Sequence, residues 1–288
     1  MGKPPGPEKR ALRLGRGVFV FDRPDLMSQR IFAIGAIMRL ASIYRYPVKG
    51  LSPEALEFAD LDADGYFPGD RVFALENGPS GFDPAAPEHQ PKVKFLMLMR
   101  NGALAGLATR YDHASGVLTI AQKGREVARG DLRSAEGRAA IETFLTGFLG
   151  DEIRGPVRLL QAPEGFRFTD SKSGFVSLVN LASVKAIEEV QGASVDPLRF
   201  RANLYIDRAE RWAEADWPGK TFQLGGATLT VLKMTDRCAA TGVEPGSGRR
   251  DMDLVQTIRK AFGHIDCGVY ARIERGGRVT RGDALALV

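Results

Sequence analysis

Cysteine is nearly absent: 288 residues contain only Cys238 and Cys267. Two thiols exclude a disulfide framework, a four-thiolate zinc site and a four-thiolate iron–sulfur cluster. A single disulfide could still join them, although so few cysteines fit a reducing, cytoplasmic setting better. Histidine is almost as scarce. His89, His113 and His264 are the whole set, none is paired with another at zinc-ligand spacing, and all three are expected on the surface or in the core. No G-x-S-x-G elbow marks a hydrolase. Gly246 and Gly248 lead into Arg249-Arg250 rather than Lys-Ser or Lys-Thr, so the phosphate-loop pattern fails. No glycine fingerprint follows a strand in the dinucleotide-binding manner. Long apolar runs are missing too. Ile31 to Met38 is far too short to span a bilayer, and Met1 to Pro7 lacks the apolar core of a signal peptide.

Charge is nearly balanced where it matters. The net charge is +5, but residues 1–37 hold seven basic and three acidic side chains. The remainder is close to neutral, which gives no basic face for a nucleic acid. With 44% hydrophobic and 26% charged residues the composition is that of an ordinary globular protein. Residues 1–37, rich in Pro, Gly and Arg, read as a disordered or mis-started extension, with Met38 as the first residue of a clean strand pattern.

From Ala41 the pattern is one of short strands. Ile43 to Val48, Leu56 to Phe58, Arg71 to Leu75, Phe95 to Met99, Leu104 to Ala108 and Val117 to Ile120 alternate with Gly, Pro and Asp turns. Gln122 to Arg125 reads as a hairpin tip. Ser134 caps a helix whose apolar face is Ile141, Phe144, Leu145 and Phe148, closed by Gly150. Phe166 to Ser171 reads as a loop. Asn180 caps a second helix ending before Gly192. Strands resume at Ala202 to Ile206, Thr221 to Leu224 and Ala227 to Met234, then a short helix at Leu254 to Phe262 and a terminal hairpin from Gly268. The class is mainly β with α (α+β), and many short strands argue for barrels or sandwiches. Two strand-rich parts are expected, 38–155 and 156–288.

Two motifs carry chemical interest. Asp60-Leu61-Asp62-Ala63-Asp64-Gly65 opens like a calcium loop, but its twelfth position is Arg71 instead of Glu, so it reads as an acidic turn. Cys238 stands at the exit of a strand beside Asp236 and Arg237, ahead of Thr241 and Pro245. An adjacent guanidinium favours a thiolate that attacks or ligates; a small buried hydrophobe is the plainer alternative. Lys49, Arg71, Arg201 and Arg237 lie near strand ends. They are either solvated or, if two barrels face each other, gathered around an anionic group.

Several pieces, in order, resemble a known family. They are Tyr46-Pro47-Val48-Lys49, Gly69-Asp70-Arg71, Phe200-Arg201-Ala202-Asn203, Trp212-Ala213-Glu214, Asp236-Arg237-Cys238 with Thr241 and Pro245, Gly268-Val269-Tyr270 and Arg281-Gly282-Asp283. The second half resembles a MOSC domain, the module at the C-terminus of molybdenum cofactor sulfurases. The first half resembles the N-terminal β-barrel domain that accompanies it in the mitochondrial amidoxime-reducing components and their bacterial relatives. The resemblance implies an N-terminal barrel-like domain packed on a MOSC barrel. It implies a molybdenum cofactor with Cys238 as the metal ligand and the catalytic centre. Lys49, Arg71, Arg201, Asn203, Arg237 and Thr241 would be the cofactor-binding set, a soft thiolate suiting a dithiolene-held metal and arginine a phosphate. Activity would be reduction of N-hydroxylated or N-oxygenated small molecules. With no haem motif, cysteine quartet or flavin fingerprint, electrons would come from a separate electron-transfer protein. Two alternatives belong to the same resemblance: a sulfur carrier holding a persulfide on Cys238, and a carrier of the cofactor. Gly50 departs from the family, which has serine there.

Overall fold

The computed structural model describes residues 1, 2 and 37–288; the expected extension lies outside the described residues apart from its ends. Strands β1 (Met38–Arg45), β2 (Glu54–Leu56), β3 (Phe58–Leu61) and β4 (Phe73–Asn77) come first. Strands β5 (Leu107–Asp112), β6 (Val117–Gln122) and β7 (Arg125–Asp131) form an antiparallel three-stranded sheet. Helix α1 (Ala135–Leu149) follows, then β8 (Val157–Gln161), which pairs with β4. The second half runs β9 (Val176–Asn180), α2 (Leu181–Gln191), β10 (Leu204–Asp207), β11 (Thr221–Leu224) and β12 (Ala227–Asp236). It ends with α3 (Leu254–Phe262), β13 (Asp266–Arg275), β14 (Gly277–Thr280) and β15 (Ala284–Leu287).

Seven of these strands close a barrel in the order β10-β9-β13-β12-β11-β15-β1, with β1 pairing back onto β10. Closure satisfies both edges of the sheet, so no ladder is left open. All neighbours are antiparallel except β9 and β10. Parallel strands need a crossover, and α2 provides it. Asn180 ends β9 and caps α2, accepting from the Ala182 N–H at 3.0 Å. Leu40, Ile43, Leu178, Leu204, Leu229, Val231, Val269 and Ile273 fill the barrel interior as the inward half of each alternation. Val184, Ile187 and Ile258 pack α2 and α3 on its outside.

The first half has its own core. Ile141, Leu145 and Leu149 of α1 bury against Leu118, Ile120, Leu75 and Leu159, each side chain contributing about 2 kcal/mol of apolar burial. Ser134 caps α1 by accepting from Gly137 N–H at 2.9 Å, as its position before the apolar stripe requires.

Strand β1 belongs to both halves. Met38 and Arg39 pair with β15 and Arg39 to Ile43 with β10, while Ile43 to Arg45 pair with β2. The chain then leaves the barrel end as Tyr46 to Gly50. Strand β3 likewise pairs with β14 from the far end of the sequence. One expected strand is not formed. Lys92–Lys94 is a 3-10 turn, and in Phe95 to Met99 only Phe95 bridges, to Glu76. The segment is buried as an apolar wall, so its hydrophobicity reflects packing and not a ladder. The strand expected at Leu104 starts at Leu107, after a 3-10 turn at Gly102–Gly106. Strands β8 and β9 were not among the expected elements. Among the described residues no helix is long and apolar enough to cross a membrane.

Candidate functional site

One end of the barrel opens into a cleft. The segment that follows β1 delivers Lys49 to it, the turn before β10 delivers Arg201 and Asn203, and the exit of β12 delivers Arg237 and Cys238. Arg71 enters on the loop before β4, and Thr241 from the 3-10 turn that follows Cys238. All seven site residues expected from the sequence therefore line one cavity of ≈ 170 Å³.

A buried tyrosine organises the cationic wall. The Tyr46 N–H donates to Asp70 at 2.7 Å, and Asp70 in turn accepts from the Arg71 guanidinium. Arg71 also donates to the Arg201 carbonyl at 3.1 Å, and Arg201 to the Leu51 carbonyl at 2.8 Å. Burial opposes the charge on Arg71, but the Asp70 carboxylate overrides it and holds the guanidinium above its ordinary value. Arg201 has no such partner. Burial, helped by the nearby Arg71, pushes its guanidinium down against the opposing effect of Tyr46. Both arginines adopt left-handed backbone, φ 48° and 51°, a conformation unusual for a branched-free L residue outside tight turns and common at ligand sites.

Lys49 is 5% exposed. Its ammonium donates to the Phe168 carbonyl at 2.9 Å and pairs with Asp170. Burial pushes Lys49 down, with Asp170 opposing. Burial would raise Asp170, but Lys49 outweighs it and holds the carboxyl well below the usual range. Asp170 thus stays ionised at the mouth.

Cys238 is a free, half-exposed thiol, and Cys267 is free and buried. Burial pushes the Cys267 thiol up to about 12, which suits a packing role. The hydrogen bonds at Cys238 go to its carbonyl, from the N–H and Oγ1 of Thr241, each at 3.0 Å. They fix the turn that presents the sulfur. Arg237 does not face that sulfur with free donors. Its guanidinium is committed to the carbonyls of Cys267 (2.7 Å from Nε) and Phe200 (2.9 Å), so it ties β12 to β13 and to the Arg201 turn. Asn203 is committed as well. Its Oδ1 accepts from the Ser177 N–H and Oγ at 3.1 and 2.9 Å, and Nδ2 donates to the Tyr44 carbonyl at 3.2 Å.

Three features of the cleft had no signal in the sequence. Arg199, 5% exposed, forks onto Asp251 at 2.8 and 2.7 Å. Arg250 donates to the carbonyls of Leu98 and Met99, both at 2.7 Å, and to Ala239 at 3.2 Å. It thereby clamps the apolar Met97–Met99 wall to the cysteine turn. Lys92 lines the cleft from its 3-10 turn. Partial burial pushes its ammonium down, yet the charges of Cys238 and Asp170 hold it above the ordinary value. The acidic turn behaves as expected: Asp60 forks onto Arg278 at 2.8 Å across β3 and β14. Among the described residues no cluster of His, Cys, Asp or Glu could hold a metal by itself.

A family model of the MOSC domain matches residues 166–286, and one of the MOSC N-terminal beta barrel domain matches residues 37–152. The chain is a MOSC domain protein. MOSC domains are associated with molybdenum cofactor binding, and the family is compatible with an oxidoreductase-type enzyme. No curated protein matches the chain. Among solved structures, this MOSC protein is similar to the YuaD protein from Bacillus subtilis, at 13% identity and a TM-score of 0.41, covering 87% of this chain and 94% of that one. It is also similar to YiiM from Geobacillus stearothermophilus, at 20% identity and a TM-score of 0.34, covering 41% and 56%. These likenesses are too weak to bear on function.

Proposed function

We propose that this MOSC protein binds a molybdenum cofactor through Cys238 and reduces N-hydroxylated small molecules with electrons from a separate protein. The supporting observation is a free thiol in one cleft with six cations, Lys49, Arg71, Lys92, Arg199, Arg201 and Arg237, drawn from both halves. The residues fit such a group. Arg201 and Lys49 are buried cations whose charge burial disfavours, so an anion in the cleft would relieve them. Thr235 Oγ1 and Arg199 Nε line the same cavity, are buried, and have no partner among the described residues, which leaves polar atoms for a ligand to satisfy.

When bound, the cofactor supplies a two-electron, oxygen-accepting metal centre. Overall, a hydroxylamine R–NHOH, two electrons and two protons give R–NH2 and water. The chain's own residues bind and orient. Cys238 would be the thiolate ligand, its turn fixed by Thr241. Lys49, Arg71 and Arg201 would hold the anionic part, the two arginines kept from swinging by the Tyr46 ring. Asn203 and Arg237 would set the spacing of the strands behind them. Asp170, held ionised, accepts hydrogen bonds at the mouth and does not deliver a proton at neutral pH. The Met97–Met99 wall excludes water from one side.

Metal and pterin analysis of protein made in a cofactor-competent host tests this reading. The expected result is one molybdenum per chain, lost in Cys238→Ala, with reduction of N-hydroxylated compounds by artificial donors. Purified protein free of metal and pterin, but carrying a labile sulfane sulfur on Cys238, would instead make it a sulfur carrier.

A further inference from the structure

We infer that Arg250 sets the aperture of the cleft. It is a positioning residue whose guanidinium ties the Met97–Met99 wall to the cysteine turn, so that slim molecules reach Cys238 and broad ones do not.

One guanidinium bridges two segments that line the same cavity. Nη2 of Arg250 donates to the carbonyls of Leu98 and Met99, both at 2.7 Å. Nη1 donates at 3.2 Å to the carbonyl of Ala239, the residue after Cys238. Met97, Leu98 and Met99 line the cavity together with Cys238. Among the described residues no direct hydrogen bond joins residues 97–99 to residues 238–241, so Arg250 is the polar link between them. Its charge strengthens each bond to a neutral carbonyl. Arg250 takes no carboxylate among the described residues, whereas its neighbour Arg249 donates twice to Glu244, at 3.0 and 2.8 Å.

The backbone under Arg250 is itself held. Val243 and Arg250 form an antiparallel bridge, and the Glu244 N–H donates to the Arg249 carbonyl at 2.8 Å. The tip of this hairpin lies on the 3-10 turn Gly102–Gly106 that follows the wall. There the Gly246 N–H donates to the Ala105 carbonyl at 2.8 Å, and a Cβ on Gly248 would stand 2.8 Å from the Gly102 carbonyl oxygen. The next residue, Asp251, holds Arg199, which donates to the Thr241 carbonyl at 3.4 Å. Residues 250 and 251 thus grip the cysteine turn at Ala239 and, through Arg199, at Thr241. Methionine side chains are flexible and adapt to a wider opening, so the link between carbonyls limits the width and apolar contact does not. With the cationic side filled by a cofactor, the wall meets the body of the substrate. The admitted class is then compact N-hydroxylated molecules with a slim apolar body. That consequence rests on the proposed function; the aperture does not.

The test uses the full chain with Arg250→Met, Arg250→Lys and, as a control, Arg249→Met. Arg250→Lys keeps the charge but puts one ammonium where two nitrogens bridge. In cofactor-free protein, Cys238 is captured by iodoacetamide or by a much bulkier dye-linked iodoacetamide, and its peptide is followed by mass spectrometry. Melting temperatures show that each variant is folded; if Arg250→Met is not, Arg250→Lys decides. Both Arg250 variants are expected to speed bulky capture about tenfold, as for one lost charge-assisted hydrogen bond, and iodoacetamide capture less than about twofold. Arg249→Met should match the wild type. An equal change with both reagents, or none with the bulky one, overturns the aperture. Faster bulky capture in Arg250→Met with wild-type behaviour in Arg250→Lys overturns the bridge. In loaded protein, Arg250→Lys should lower KM for N-benzylhydroxylamine and leave KM and kcat for N-methylhydroxylamine unchanged. Equal changes for the two substrates overturn the substrate class. Selectively faster bulky capture in a protein that never takes up metal upholds the aperture and sinks the cofactor reading alone.

Discussion

The guanidinium carbon of Arg201 lies 4.3 Å from the centre of the Tyr46 ring. Arg71 approaches the same ring at 4.8 Å, so two like charges share one buried aromatic ring. The ring quadrupole and the Asp70 carboxylate offset part of their repulsion, and burial is the main reason Tyr46 itself is pushed up. Arg201 has no carboxylate partner in this arrangement, which is costly in an empty cleft. Replacing it with methionine is therefore expected to leave the melting temperature of cofactor-free protein unchanged or raised, because a buried charge is removed and its packing kept. The same variant should lose most of its bound pterin. Calorimetry and pterin analysis together check both halves of this expectation.

Lys49 and Asp170 give a second prediction. Asp170→Asn strips the counter-charge from a buried ammonium and is expected to cost about 1–3 kcal/mol, discounted because Asp170 is half exposed. Lys49→Met should cost less, and the double variant should recover part of the Asp170→Asn loss. Urea unfolding of the four proteins measures the coupling.

The pH dependence follows from the same pair. Asp170 titrates lower in the folded chain than its ordinary 3.8, so its stabilisation is complete above that value. It is lost as the pH falls below 3.8 toward the depressed folded value. Lys49 acts at the other end. Its folded value is lowered from 10.5, so the penalty for its burial is relieved as the pH rises through the window between the two. Acid unfolding of Asp170→Asn should be flatter below pH 3.8 than that of the wild type.

The two cysteines should separate cleanly. Cys238→Ala is expected to leave stability within about 0.5 kcal/mol, being half exposed, while abolishing metal retention. Cys267→Ala, at 0% exposure, should cost about 1–2 kcal/mol through the cavity it leaves and retain the metal. Equal loss of metal from both would mean the ligand is misassigned.

Gly50 carries its own test. Its backbone has φ 85°, and a Cβ there would lie 3.0 Å from the Leu96 carbonyl oxygen. Gly50→Ser restores the hydroxyl seen in the resembling family but is expected to destabilise by about 1–2 kcal/mol. No gain in pterin retention should accompany it. Thermal melts with pterin analysis decide.

Much of this architecture is legible in the sequence, because caps and alternation are local signals. Ser134 and Asn180 open helices where their position before an apolar stripe requires it, and Gly192 ends one in the left-handed conformation. Strand β12 alternates inward and outward from Ala227 to Val231, after which a register shift breaks the period. Phe95 to Met99 misleads for a physical reason: a buried wall held by the Arg250 side chain has the same composition as a strand. Arg250 itself is unreadable, since its Leu98 and Met99 partners lie 152 and 151 residues away. Arg237 shows the limit of adjacency. Next to Cys238 in the chain, it spends its guanidinium on the carbonyls of Cys267 and Phe200. Lys92, remote in the sequence, lines the same cleft.

The dual pairing of β1 sets a limit on modularity. Deleting residues 37–152 would take the seventh stave out of the barrel and leave β10 and β15 as bare edges. Bare edges recruit strands from other chains, so the isolated second half is expected to oligomerise or aggregate. Supplying Met38–Arg45 as a separate peptide should restore a monomer by strand complementation. The two family modules of this chain are not interchangeable parts, because the first contributes a structural member of the second.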